Sequence, residues 1–394
     1  MNVHFTEEQQ MIQHAFREFV KEKVAPYAAE WDRDDVTPAE IFTDIGKLGV
    51  LGCFVPEEYG GLGLGHVERI MAMEEFARYS AGLVVFMFAH QLSVGAVLDY
   101  GTEEQKKKYL PAMCDGSKIW SMAITEPGGG TDLTGHKTVA ERDGDEWVIN
   151  GRKCFITNAH VADMFVVTAK TGVNARGRNT LTAFVVPKDT PGLRVGRAED
   201  KMGLRGSITG DLVLNNVRVP ADAVVGQVDK AAKVALTEIG EIGRASLSAV
   251  CVGLMRGCLE EAVKFSNERI IYGKPLSKIQ AIQFHIAEIR TNYEAARLLT
   301  YRAACLKDEG VPTAPYNGMA KLFGTNAAVR SAQHCIELMG GYGVINDYPV
   351  TRFMRDALSA ISTGGTNEVQ RLVIFGDTRS EEHTSELQSR SAIS

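Results

Sequence analysis

The 394-residue chain has no excess of positive charge: 43 Lys and Arg stand against 49 Asp and Glu, a net charge of −6. A nucleic-acid partner would need a basic face, so none is expected. The chain has no C-x-x-C pair and no Cys/His cluster at metal-ligand spacing. Its seven cysteines, at positions 53, 114, 154, 251, 258, 305 and 335, are scattered. That pattern excludes a disulfide framework and fits a reducing, cytoplasmic compartment. Cys251 and Cys258 share a helical face, where two small buried thiols are the ordinary reading. The opening MNVHFTEEQQ lacks a basic and an apolar region, so no secretory signal is read there. The longest apolar run, Ala81–Leu98, carries His90 and Gln91 near its middle, which reads as a buried core helix rather than a membrane span. Neither the dinucleotide fingerprint nor the phosphate-loop spacing of glycines occurs.

What is present is an ordinary globular balance, 45% hydrophobic and 23% charged residues, on a chain long enough for two or three domains. Capping boxes at Thr6/Gln9 and Thr102/Gln105 and 3.6-period apolar positions predict a helical domain over 1–116. Short β-branched runs at 146–150, 164–169, 181–186 and 211–219, separated by turns such as Asp143-Gly144 and Asn150-Gly151, predict a small β domain over 117–226. Helical periodicity returns at 231–242, 245–267, 279–306 and 319–338, predicting a helix bundle over 227–377. The polar stretch RSEEHTSELQSR does not continue the apolar run before it and matches the translation of a sequencing-adapter oligonucleotide. Residues 378–394 are therefore read as a non-native tail.

The segment IWSMAITEPGGGTDLTG (119–135) joins an apolar β-like run to an abrupt turn. Pro127 fixes φ, while Gly128, Gly129 and Gly130 allow close approach of a bound group. Thr125 and Thr131 flank it with hydroxyls. By itself such a cluster is more often a surface turn.

Five motifs, however, occur in a fixed order: PEEYGGLGLG (56–65), AITEPGGGTDLTG (123–135), KCFITN (153–158), RIIYGK (269–274) and ELMGGYGVINDYPVTRFMRD (337–356). Together with the helical, β and helical domain order, they resemble the acyl-CoA dehydrogenase family over nearly the whole chain, from Phe5 to about Phe375. The resemblance implies a mostly α fold with an N-terminal helical domain, a middle β-barrel-like domain and a C-terminal four-helix bundle. It implies FAD as cofactor, acyl-CoA or enoyl-CoA as substrate, electron-transferring flavoprotein as redox partner, and a homodimer or homotetramer. Thr125, Thr131, Phe155, Thr157, Thr366 and Glu368 resemble flavin-contacting positions, with Thr131 also near the substrate thioester. Phe155 stands where many members have tryptophan, keeping the aromatic face without the indole N–H. Arg269, Tyr272 and Gln280 resemble residues that reach the FAD of a neighbouring subunit, and Glu337, Gly340 and Gly341 the segment beneath its adenine side. Arg244 resembles an arginine near the CoA moiety, with an ion pair to Glu241 or Glu238 as its alternative role.

The reaction so implied exchanges hydride between the thioester β-carbon and the flavin, coupled to proton transfer at the α-carbon, which calls for a polarised carbonyl and a base. Relatives place that base as glutamate in an aromatic-Glu-Gly-Thr sequence or directly before the arginine matched by Arg244. Here those positions are Gly364, in Ser362–Glu368, and Gly243. Gly364 retains a backbone N–H, which suffices as an oxyanion donor. Glu241 and Glu368 are the nearby carboxylates, the first about 200° round an ideal helix from Gly243 and the second in a first helical turn. Crotonobetainyl-CoA reductases of this family resemble the chain in carrying a Ser-Gly-Gly-type sequence at the same place. The readings left open are acyl-CoA dehydrogenation, enoyl-CoA reduction, flavin-assisted elimination, and a catalytically impaired CoA-binding flavoprotein.

Overall fold

The computed structural model describes residues 5–391, with side chains as far as Arg379 except that of Thr134. Helices α1 (Glu7–Lys23), α2 (Ala28–Asp34), α3 (Glu40–Lys47), α4 (His66–Ala77), α5 (Ala81–Tyr100) and α6 (Glu103–Cys114) form the N-terminal unit. Both capping boxes are made: Thr6 accepts from the Gln9 amide at 3.1 Å and Thr102 from the Gln105 amide at 3.2 Å. These bonds satisfy donors that a helix start leaves unpaired.

Helix α5 is long and apolar enough to cross a membrane, but 89% of its apolar window is buried within the protein. Its two polar residues are held inside. His90 Nε2 donates to the Met113 carbonyl (3.0 Å) and its Nδ1 accepts from the Trp120 amide (3.0 Å). Burial pulls the imidazole down to about 4, so the ring is a neutral brace between α6 and the sheet. Gln91 donates to the Val50 carbonyl at 2.9 Å.

The middle unit is a sheet of β1 (Trp120–Ala123), β2 (Val139–Asp143), β3 (Glu146–Thr157), β4 (Met164–Val173), β5 (Asn179–Pro187), β6 (Leu193–Ala198), β7 (Thr209–Pro220) and β8 (Val224–Val225). The strand order is β6-β7-β3-β2-β4-β5-β8, with β1 added in parallel to β4. Strands β3 and β7 are longer than the β-branched runs alone suggest, because bulges let the ladder continue past Asn150-Gly151 and Lys153–Ile156.

The C-terminal unit begins with α7 (Ala231–Glu238), a π turn (Ile239–Gly243) and α8 (Arg244–Glu268). Sequence periodicity predicts two helices here; the structure has one continuous 38-residue helix. The Arg244 amide bonds to the Ile239 carbonyl, five residues back, so the chain widens by one residue per turn instead of breaking. A hairpin, β9 (Ile270–Ile271) with β10 (Lys274–Pro275), leads to α9 (Gln280–Asp308), α10 (Ala314–Met339), α11 (Val350–Ala360) and α12 (Asn367–Ser391). The α8, α9, α10 and α12 helices make the bundle. The stretch read as a tail runs on as α12 to Ser391.

The Glu74 carboxylate, on α4, ties this unit to the first. It is 1% exposed and accepts from Tyr293 Oη (2.8 Å), Tyr301 Oη (2.8 Å) and Arg297 Nε (3.1 Å) on α9. A buried charge with this many partners fixes α4 against the bundle.

Candidate functional site

The glycine turn after β1 is clamped from below and open above. Glu126, 5% exposed, accepts from the amides of Lys137 (2.6 Å) and Thr138 (3.0 Å) and from Lys153 Nζ (2.8 Å). Burial opposes its ionisation, but the Lys153 charge and these bonds outweigh it and hold the carboxyl down at about 2. Lys153 also donates to the Ile124 carbonyl at 3.0 Å. On the other side, a Cβ placed at Gly128 or Gly129 would meet nothing within 4 Å. The turn therefore leaves space for a bound group to approach the backbone.

The end of β3 closes beside this turn. The Cys154 amide donates to the Thr125 carbonyl at 2.9 Å, and Ser121 Oγ donates to the Thr157 carbonyl at 2.5 Å. Thr125 packs against Gly130, the residue before Thr131. Between Cys154 and Thr157, the bulge puts Phe155 at φ +56° and leaves its ring 66% exposed. An aromatic residue in left-handed backbone is a strained arrangement, of order 1–3 kcal/mol. An exposed flat ring one residue from the Cys154–Thr125 bond, with hydroxyls on Thr125, Thr131 and Thr157, is chemistry that suits a planar cofactor with a polar edge. The backbone thus sets Thr125 beside the β3 end that carries Phe155 and Thr157, with Thr131 following Gly130 in the turn.

A second group forms at the far end of the bundle. Arg269 lies over the Tyr342 ring at 5.4 Å, next to Gly340 and Gly341. Tyr272, at φ +54° on the hairpin tip, is 92% exposed, and Gln280 opens α9. Glu337 accepts from Gln333 at 2.9 Å. Among the described residues, no hydrogen bond or ring contact joins this group to the glycine turn.

The third group surrounds Gly364. Lys321, fully buried, donates to the carbonyls of Ile361 (2.6 Å) and Gly365 (2.9 Å) and to Asn367 Oδ1 (2.9 Å). This staple holds Gly364 and Gly365 in left-handed backbone, φ +65° and +92°. A Cβ at Gly364 would touch only Leu247, at 3.6 Å. Gly243 lies one turn before Leu247, and its Cβ would meet Leu92 at 3.5 Å and the Glu238 carbonyl at 3.8 Å. The two glycines therefore border one stretch of the α8 helix, each with room for a side chain. Thr366 caps α12, accepting from the Val369 amide at 3.4 Å.

The carboxylates near these glycines are placed as follows. Glu241 is paired with Lys307, and Glu368 is exposed and paired with Arg371 at 3.0 Å. Neither faces a glycine unengaged. Arg244 is 6% exposed, its Nε has no partner, and no ion pair engages it among the described residues. The ion pair to Glu241 or Glu238 weighed from sequence is not made. Burial pulls the guanidinium pKa down, as befits a cation lacking an anion.

Glu238, which sequence reasoning treated only as a partner for Arg244, is the unexpected group. It is 1% exposed, neither carboxyl oxygen has a hydrogen-bond partner among the described residues, and burial pushes its pKa well above the usual carboxylate range. No local sequence signal marks it, because the residues packed around it come from other elements, α4, α5 and α9.

Comparison with known proteins agrees with the geometry. Family models described as acyl-CoA dehydrogenase N-terminal, middle and C-terminal domains match residues 6–117, 121–217 and 232–376. A probable acyl-CoA dehydrogenase of Bacillus subtilis is 40% identical over 95% of this chain and 98% of its own. The human mitochondrial short-chain specific acyl-CoA dehydrogenase is 38% identical over 95% and 91%. Among solved structures, butyryl-CoA dehydrogenase from Megasphaera elsdenii superposes with a TM-score of 0.93 at 36% identity, over 96% of this chain and 100% of that one. A chain solved in work on the electron transferring flavoprotein of Acidaminococcus fermentans gives 0.91 at 37%, over 95% and 98%. A glutaryl-CoA dehydrogenase from Mycobacterium smegmatis in complex with FADH2 gives 0.89 at 30%, over 95% of each chain.

Proposed function

Because the chain belongs to the acyl-CoA dehydrogenase family of FAD-dependent oxidoreductases acting on CH–CH groups, we propose that it reduces short 2,3-enoyl-CoA thioesters to acyl-CoA. The observation that carries this reading is the pair Gly243 and Gly364. Both places where a carboxylate would remove the α-proton of a saturated thioester are bare, while the backbone donor at Gly364 is kept and stapled by Lys321. General-base help is worth roughly 10²–10⁴-fold, and its loss slows both directions of the same route, so the two glycines set how the α-proton is exchanged while the direction rests on the resemblance to the reductases. An activated enoyl thioester instead needs a proton supplied after the hydride arrives, and an oxyanion donor to hold the enolate meanwhile. Crotonobetainyl-CoA reductases, which resemble the chain at this sequence, point the same way. The short acyl chain is supported by the relatives named as short-chain specific and by butyryl-CoA dehydrogenase.

Residues of this chain have distinct roles in the proposal. Thr125, Thr131, Phe155 and Thr157 hold the flavin ring, and the bound FAD supplies two-electron hydride chemistry. Thr366 and Glu368 lie at its edge, and Arg244 neutralises an anionic part of the CoA. Arg269, Tyr272, Gln280, Glu337, Gly340 and Gly341 serve the FAD of a second copy, which makes the protein a homodimer or a homotetramer of paired dimers. The separation of these residues from the glycine turn and the exposure of Tyr272 support that division. The electron donor is an electron-transferring flavoprotein, in keeping with the relative solved in that context. Seven free thiols fit a cytoplasmic setting.

The test compares two anaerobic half-reactions of the FAD-loaded protein. Crotonyl-CoA should reoxidise dithionite-reduced flavin faster than butyryl-CoA bleaches the oxidised form. The opposite order would return the protein to ordinary dehydrogenation. Silence in both directions would favour the CoA-binding, catalytically impaired reading.

A further inference from the structure

Between α5 and the π turn lies a cavity of about 60 Å³, lined by Gly95, Leu98, Asp99, Glu238, Ile242 and Lys307 among others. That volume holds about two waters. Glu238 is the group that makes it unusual: a carboxyl 1% exposed, both oxygens unpartnered, on the cavity wall. The packing around it is close. A methyl at Gly95 would lie 2.1 Å from Glu238 Oε2 and 2.5 Å from Ile242 Cδ1, so glycine at 95 is what leaves the carboxyl its place. An orphaned buried carboxyl is costly, and a site that keeps one calls for an explanation.

Glu238 also stands at a particular distance along the chain. It is five residues before Gly243, one turn of the π segment, and Gly243 faces the Glu238 carbonyl. The cavity reaches Ile242, the neighbour of the bare position, and Asp99 on its wall is exposed to solvent. Charged and titratable groups face Glu238 from every element around it: Asp99 on α5, His66 and Arg69 on α4, Lys307 on α9, and Glu241 on its own helix. Lys307 is committed to Glu241, and Arg69 donates to Ser246 at 2.6 Å, so among the described residues no cation is paired with Glu238.

We infer that Glu238 is the proton-exchanging carboxyl of the site, serving the substrate α-carbon through water in this cavity in place of the two missing glutamates. The inference rests on the reductive reading only for its direction. In that direction bound FAD would supply the hydride that makes the β-carbon C–H bond, and the Gly364 N–H would hold the enolate oxygen. A cavity water then gives a proton to the α-carbon while the Glu238 O–H bond breaks to restore that water. Glu238 is left as a carboxylate and regains its proton from solvent past Asp99. Burial suits the task, because it favours the protonated carboxyl, the form that can donate.

The test uses the FAD-loaded protein and Glu238→Gln. At pH 7, reoxidation of reduced flavin by crotonyl-CoA should slow by about 100-fold, with crotonyl-CoA binding and FAD content unchanged. The wild-type rate should fall at high pH, and the variant should lose that limb. A readout independent of turnover is thermal stability against pH. A folded pKa raised above the unfolded value gives stability that is full below the ordinary carboxylate pKa and is lost as pH rises through the folded one. The wild type should therefore lose stability relative to the variant over that range, the other charges being common to both. Equal rates, or parallel stability curves, overturn the inference. If Glu238→Gln fails to hold FAD, Gly95→Ala decides: displacing the carboxyl should slow the reaction by about tenfold or more, and an unchanged rate overturns the role. If wild-type protein does not use crotonyl-CoA, the reductive reading falls by itself. Deuterium exchange at the α-carbon of butyryl-CoA in D2O then decides Glu238 by the same comparison.

Discussion

Lys321 Nζ lies 2.9 Å from the carbonyl oxygen of Gly365, one residue past Gly364, whose amide we propose as the thioester donor. The same ammonium group binds Ile361 O and Asn367 Oδ1, so one side chain from α10 sets the backbone of the whole glycine turn. Replacing it with methionine removes all three bonds; Gly365 O keeps Gln370 Nε2 and Asn367 Oδ1 keeps Thr325 Oγ1, while Ile361 O loses its lysine donor, at a cost of about 1–3 kcal/mol. Lys321→Met should therefore lower kcat at least tenfold through a displaced Gly364 donor, with KM changed less than kcat. Equal losses in both would assign the lysine to substrate binding instead.

The two bare positions offer a test of what the carboxylate would add. Gly243 has ordinary helical backbone, φ −63° and ψ −49°, whereas Gly364 sits at φ +65°. Glutamate should be accepted at 243 without strain and at 364 with a penalty of order 1 kcal/mol. Both Gly243→Glu and Gly364→Glu should raise butyryl-CoA oxidation at least tenfold, and Gly364→Glu should melt lower. Unchanged oxidation in both would mean that another group already removes the proton efficiently.

Arg244 is a buried cation with no ion-pair partner among the described residues and an unpartnered Nε, which is costly until an anion arrives. Arg244→Met should raise the melting temperature of the ligand-free protein while increasing KM for CoA esters by ten- to a hundredfold, as expected for loss of a charge-assisted contact of about 1.5–3 kcal/mol. A drop in melting temperature together with an unchanged KM would place the arginine among the structural residues.

Glu126 links the cofactor turn to acid stability. Its folded pKa of about 2 lies below the ordinary value of 4.5, so its contribution is complete above pH 4.5 and is lost as pH falls toward 2. The full span is worth roughly 3 kcal/mol. Glu126→Gln should weaken FAD retention at neutral pH, because Lys153 is left as a buried charge, and should flatten the acid limb of the stability profile. A variant with the wild-type acid limb would show that other carboxylates govern it.

Much of this site was legible before any coordinates. The turn at 119–135 and the glycine pair at 364–365 are marked by residue types that have few other uses, and both capping boxes form as written. The missing carboxylates were legible for the same reason: glycine in place of glutamate is visible in one dimension. Glu238 was not. Its neighbours Gly95, Ile242 and Lys307 come from three separate elements. The helical wheel that would have aimed it assumes 3.6 residues per turn, which the segment Ile239–Gly243 does not obey. Phe155 shows the same limit. Its identity suggested a flat face near the cofactor, but the bulge that turns the ring outward belongs to the pairing of β3 with β7.

The π turn makes the chemistry of this protein a matter of reading frame along a helix. Removing one residue between Ile239 and Gly243 would let the helix close into ordinary α geometry and rotate everything before it by about 100°. No side chain would be replaced, yet Glu238 would swing out of its gap and a different residue of Ala231–Glu238 would take its angular position. A single-codon deletion is thus a route by which a protein of this kind could trade one proton-handling group for another, with the face from Arg244 onward left as it was.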